Sequence, residues 1–180
     1  MDERARDVLT FWFEESTPKQ WFAKDDAFDA AIRERFGDVQ HQASNGMLDH
    51  WAETPDGAFA LIIVLDQFSR NLYRNDARAF ADDAKARGIL RDMLIKGWDQ
   101  EIAEDRRAFL YLPFEHSEAL ADQERSVELF ATLGEENLRY AVAHKELIER
   151  FGRFPHRNAA LGRESTQQEK DYLSKPGAGF

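Results

Sequence analysis

Cysteine is absent from the 180 residues. That excludes disulfides, thiol nucleophiles and cysteine-held zinc together, and it fits a reducing, cytoplasmic setting. No apolar run approaches the roughly 20 residues of a membrane span. The opening MDERARD is charged where a signal peptide needs an apolar stretch. Bases are in the minority: 24 Lys and Arg stand against 34 Asp and Glu, a formal charge of −10. Such a surface repels phosphate backbones, which argues against nucleic acid as a partner. The sequence also lacks a glycine-rich phosphate loop, a Gly-x-Ser-x-Gly elbow and a His-Glu-x-x-His pair. None of the five histidines follows a Glu-x-x spacing, and the lone Asp38-x-x-His41 lies on a polar face. Neither a metal nor a cofactor is expected.

What is present is helical periodicity, with almost no strand alternation. Length and the missing linker point to one all-helical domain over 1–174, followed by a flexible tail over 175–180. Ala5, Val8, Leu9 and Trp12 share one face of a first helix capped by Asp2. Phe28, Ile32, Phe36, Val39 and Ala43 form a second stripe, with a break expected at Gly37. Thr54-Pro55-Asp56-Gly57 reads as a turn into a helix start. The following ALIIVL is apolar all round, and Phe59, Ile62, Ile63, Phe68 and Leu72 at helical offsets favour an enclosed helix over a strand. Ala77, Ala81, Ala84 and Gly88 suggest a stripe of close helix approach. Further helices are expected near 103–112, 115–133, 135–151 and 166–173. Gly152 serves as a stop, and a capping box starts at Ser165 or Thr166. Successive pairs suggest stacked antiparallel hairpins, a tetratricopeptide-like helical repeat.

Three polar clusters adjoin these apolar stretches. The first is Asp66, Gln67, Arg70 and Asn71, in which Asp66 can pair with Arg70 and Gln67 with Asn71 at four-residue spacing. The second is Glu115, His116, Ser117 and Glu118, with both acids on one helical face. The third is Arg153, His156, Arg157, Asn158 and Arg163, a donor-rich loop after a helix end. Charge is polarised between the last two. Residues 99–136 hold eleven acids and three bases, whereas 150–163 hold four arginines and no acid. Arginine forks suit carboxylates or phosphates. They equally suit an internal lattice of ion pairs facing the acidic segment. His144, on the stripe of Ala141, Ile148 and Phe151, reads as a hydrogen-bonded core histidine. Phe11, Trp12, Phe13, Trp21 and Phe22 read as packing.

Several of these motifs carry a resemblance. Trp12-Phe13, Trp21-Phe22, Leu65-Asp66-Gln67-Phe68-Ser69-Arg70-Asn71, Leu112-Pro113-Phe114-Glu115-His116-Ser117-Glu118, the run Arg150–Asn158 and Leu161-Gly162-Arg163 resemble the bacterial family called domain of unknown function 924. The resemblance covers nearly the whole chain and implies an all-helical, tetratricopeptide-like fold. It implies no activity. Ser69 departs from that pattern, which has proline at this place.

Three functional readings stand at this stage. In the first, the three clusters converge on a pocket for an anionic small molecule or an acidic peptide. In the second, the chain is a cofactor-independent enzyme with His116 or His156 as acid–base group. Asp66 or Glu118 would then orient the imidazole and Arg70 or Arg157 would stabilise negative charge. In the third, it is a structural module, forming a homo-oligomer through loops near Trp21.

Overall fold

A charged start and a first apolar stripe produce helix α1, Glu3–Thr10, with the Asp2 carboxylate accepting from the Arg4 N–H at 2.9 Å. The computed structural model describes residues 1–179, and among them helices and turns occur without a β-strand. The chain divides into two compact units. The first comprises residues 1–74 and 78–113, the second residues 75–77 and 114 onward.

In the first unit the chain leaves α1 through a wide π-helical turn, Phe11–Glu15, and then forms α2, Pro18–Phe22, and α3, Asp26–Ser44. Helix α3 runs unbroken through Gly37, because its stripe of Phe28, Ile32, Phe36, Val39 and Ala43 is fully engaged in the core. Helix α4, Pro55–Ile62, begins at a Thr54 cap, and its Gly57 is compulsory. A Cβ there would lie 2.2 Å from the Trp51 carbonyl oxygen. The helix continues through a second π-helical turn, Ile63–Phe68, into α5, Ser69–Leu72. Leu61 to Leu65 are wholly buried, so the enclosed-helix expectation holds. The two widened turns meet through their rings: Phe68 lies 6.1 Å from Phe11 and 5.7 Å from Trp12. Trp21 donates its indole N–H to the Trp12 carbonyl at 2.9 Å and packs on Phe109 at 4.9 Å, whereas Phe22 is 78% exposed.

Helix α6, Asp83–Lys96, buries Ala86, Leu90 and Met93. The small-residue stripe read from the sequence is therefore corrected. Ala77, Ala81 and Ala84 are exposed, and a Cβ on Gly88 would meet nothing within 4 Å, so no helix approaches that face. Helix α7, Arg107–Glu115, carries Pro113 inside it at the cost of one backbone hydrogen bond.

The second unit contains α8, Leu120–Phe130, packed against α9, Glu135–Phe151, and α10, Gln167–Leu173. The single helix expected over 115–133 is instead two pieces. Residues 116–119 form a turn, because the Gln123 amide donates to the carbonyls of Glu115 and Ser117 at 2.6 and 2.7 Å. It thereby takes acceptors that a continuing helix would use. Gly152, at φ 71°, closes α9, and Thr166 forms the capping box with Glu169. The apolar core here is small: Leu147, Ile148 and Phe154, with Phe151 and Tyr172 against it. Among the described residues no helix is long and apolar enough to cross a membrane.

Candidate functional site

Where the apolar helix of the first unit runs out, its side chains turn polar and each finds a partner. Arg70 grips Asp83 with both guanidinium ends, at 2.9 and 3.0 Å, and also lies 3.1 Å from Asp66. Burial works against its charge, but Asp66 and Asp83 outweigh it and hold Arg70 above its ordinary pKa. Asp66 is 1% exposed and takes a second bond from Gln67 at 2.6 Å. The Gln67–Asn71 pairing expected from spacing is absent. Asn71 donates instead to Asp29 at 2.7 Å, and Arg74 closes on the same carboxylate. Burial raises the Asp29 pKa, and Arg74 with Asn71 more than reverse that, so the group stays below the usual range.

A second lattice lies one turn away. Gln40 donates to Ser69 and Asp82 at 3.2 and 3.1 Å and accepts from Tyr73 at 3.1 Å. Ser69, at the place of the family's proline, accepts from Gln40 and donates to the Val64 carbonyl at 3.4 Å. Sequence reasoning missed Asp29, Gln40, Asp82 and Asp83. Gln40 was findable: it stands four residues after Phe36 on an apolar stripe, where a polar group requires a buried partner.

In the second unit the second and third clusters meet. Glu118 receives Arg163 in a bidentate grip at 2.7 and 2.9 Å, and the Phe154 N–H at 2.8 Å. Burial raises the Glu118 pKa, but these donors bring it below its ordinary value. Arg163 also bonds Asn158 at 2.9 Å, and Asn158 reaches Glu169 at 3.3 Å. Arg153 grips Glu169 at 2.7 and 2.9 Å, holding its pKa at about 2. Glu115 and Glu118 do not share a helical face, since α7 ends at Glu115. Ser117 donates its hydroxyl to Asp122 at 2.7 Å and caps the Ala119 N–H, so it serves the turn.

Around Phe154 the arrangement differs. Its ring is edge-on to His144 at 5.7 Å, tilted against His156 at 5.6 Å and carries the Arg157 guanidinium at 4.6 Å. His116 lies 6.3 Å from His144, and its carbonyl accepts from Arg157 at 2.9 Å. His144 directs Nδ1 at both the Glu115 carboxylate, 3.0 Å, and the Tyr140 carbonyl, 2.8 Å, which puts the proton on Nδ1. It is 7% exposed, as a core histidine should be. His116 is half-buried and His156 is exposed. Packed surroundings, then Arg157, His144 and His116, lower the His156 pKa to about 4, with Glu118 opposing. His156 is thus a neutral donor–acceptor near pH 7.

These motifs identify the relatives. The profile of the bacterial protein family of unknown function DUF924 matches residues 8–177. The chain belongs to that family. It is also similar to a solved structure, the protein of unknown function ATU0120 from Agrobacterium tumefaciens. The two share 43% identity and a TM-score of 0.90, over 94% of this chain and 96% of that one. No curated protein matches the sequence. Within the family, the Asp-Gln-Phe-x-Arg-Asn motif here builds the Arg70 lattice of the first unit. The Pro-Phe-Glu-His-Ser-Glu and Arg-Phe-Gly-Arg-Phe-Pro-His-Arg-Asn motifs together build the Phe154 cluster of the second.

Proposed function

We propose that this DUF924 protein is a helical binding domain for a small anion or an acidic peptide group, received in the second unit beside His116, His156 and Arg157. The single observation that carries the reading is the gathering of two imidazoles, His144 and His156, and the Arg157 guanidinium round the Phe154 ring, with His116 beside His144 and the exposed His156 at the edge. Four other arginines grip carboxylates of their own unit. Arg70, Arg74, Arg153 and Arg163 are each bonded by two guanidinium nitrogens, which makes them locks for the fold. An anion beside Arg157 would oppose the positive field that lowers His156, so binding should bring a proton onto that ring and strengthen as pH falls.

The test is thermal stabilisation by millimolar sulfate and succinate in wild type, His156→Ala and Arg70→Ala. Sulfate keeps its charge across the neutral range. A saturable shift should weaken about tenfold in apparent affinity in His156→Ala, the loss of a charge-assisted bond. Arg70→Ala should lower Tm yet keep the saturable shift. Absence of saturation, or an unchanged His156→Ala curve, would sink the reading.

An acid–base enzyme is the second reading, and the Glu115–His144 contact favours it, since it sets a carboxylate 3.0 Å from an imidazole. Its weakness is the burial of His144.

A further inference from the structure

The sequence after α10 is short of side chains, and at Gly179 it packs where a Cβ would be crowded. Lys175 and Ala178 turn the chain back through bonds to Tyr172 and Lys175 carbonyls at 3.1 and 3.2 Å. Gly179 then lies against His156: a Cβ at this residue would stand 3.1 Å from the His156 Cβ and 3.3 Å from its Cγ. Gly179 also has φ 85°, a conformation that disfavours any other residue. Its N–H donates to the Tyr172 hydroxyl at 3.0 Å, and the Tyr172 ring rests on Phe151 at 5.4 Å. Lys175, Pro176 and Gly177 are exposed, and among the described residues the segment is tied beyond its own turn by this hydrogen bond and by the approach of Gly179 to the imidazole.

We infer that residues 175–179 form a strap latched by the Tyr172 hydroxyl, which shields one side of His156 and competes with whatever approaches that imidazole. The inference rests on the proposed role of the Phe154 cluster for its purpose, but not for its existence. A latch of one hydrogen bond is light enough to break on binding, and Gly179 admits a close approach to the ring. Once open, the strap uncovers the Nδ1 side of His156, which the Gly179 position approaches most closely through Cβ and Cγ.

The strap can be tested without any ligand by acylation of histidines with diethyl pyrocarbonate, read residue by residue by mass spectrometry. His41 and His50, both exposed, serve as internal references. Tyr172→Phe keeps the ring on Phe151 and removes the latch. Gly179→Ala introduces a Cβ into the His156 contact. Both should speed acylation of His156 roughly fivefold relative to the references, the population change expected from one lost hydrogen bond. A chain ending at Lys175 should react at least as fast. If wild type already matches the truncated chain, the strap is open in solution and the inference is overturned. Sulfate titration of the same variants separates the two proposals. Faster acylation without saturable sulfate binding retains the strap and removes the anion reading, whereas saturable binding with unchanged acylation does the reverse.

Discussion

The first unit is built around rings and branched aliphatic side chains, the second around carboxylates and guanidinium forks. Among the described residues, the first buries twenty-nine hydrophobic and eight polar or charged side chains, whereas the second buries seven and nine. Burial of apolar area stabilises the first through the hydrophobic effect, with polar lattices at the end of the enclosed helix and at Asp99, which accepts from Tyr111 at 3.0 Å. In the second, hydrogen-bonded carboxylates and guanidinium groups take a larger share, and each buried polar group left unmatched costs about 1–3 kcal/mol. The same residue type thus does different work. Arg70 closes the edge of a large core, while Arg153 and Arg163 connect segments that have little apolar mass between them.

The contrast can be broken most severely at Phe68, which is fully buried against Phe11, Trp12 and Phe36. Phe68→Ala should cost about 3–5 kcal/mol, measured as a fall in urea midpoint. Little relief is expected, because the π-helical turns on both sides hold the cavity open. Next in size is Asp83→Ala, which leaves Arg70 with Asp66 alone in a buried setting. A loss of about 3 kcal/mol is expected. A loss below about 1 kcal/mol would make Arg70 a spare cation and reopen it as a ligand group.

The smallest effect is a pH slope. Glu169 has its folded pKa lowered from 4.5 to about 2, so the unfolded chain binds more protons through that window. The contribution is complete above pH 4.5 and is lost as pH falls toward 2. Glu169→Gln should therefore flatten the acid limb of Tm against pH, with the difference vanishing at the acid end. An unchanged slope would show that Arg153 and Glu169 do not stabilise the folded state.

Periodicity revealed most of the helices because burial repeats along them. The stripe from Phe28 to Ala43 and the run from Leu61 to Leu65 were legible for that reason, as were the Gly152 stop and the Thr166 cap. The stripe through Ala84 and Gly88 misled, because small residues suit close packing and open solvent equally. The proposed helix over 115–133 failed at a break that depends on Gln123 reaching back to two carbonyls, a contact that helical spacing does not reveal. The candidate site divided along the same line. Asp66–Arg70 was visible as a four-residue pair, but Asp83, Asp29 and Glu169 come from other segments and carry no local signal.

Sequence by itself determined that this chain is helical, acidic and free of thiol chemistry, since propensity, periodicity and composition are properties of neighbours. It also carried the motifs of the DUF924 family. Tertiary structure alone decided which arginine meets which carboxylate, that Gln67 and Asn71 part company, and that His144 and His156 meet at Phe154 with His116 beside His144. Those outcomes depend on distances between residues far apart along the chain. A charged group's role follows from the partner that packing delivers to it, and no repeat in the sequence encodes that partner.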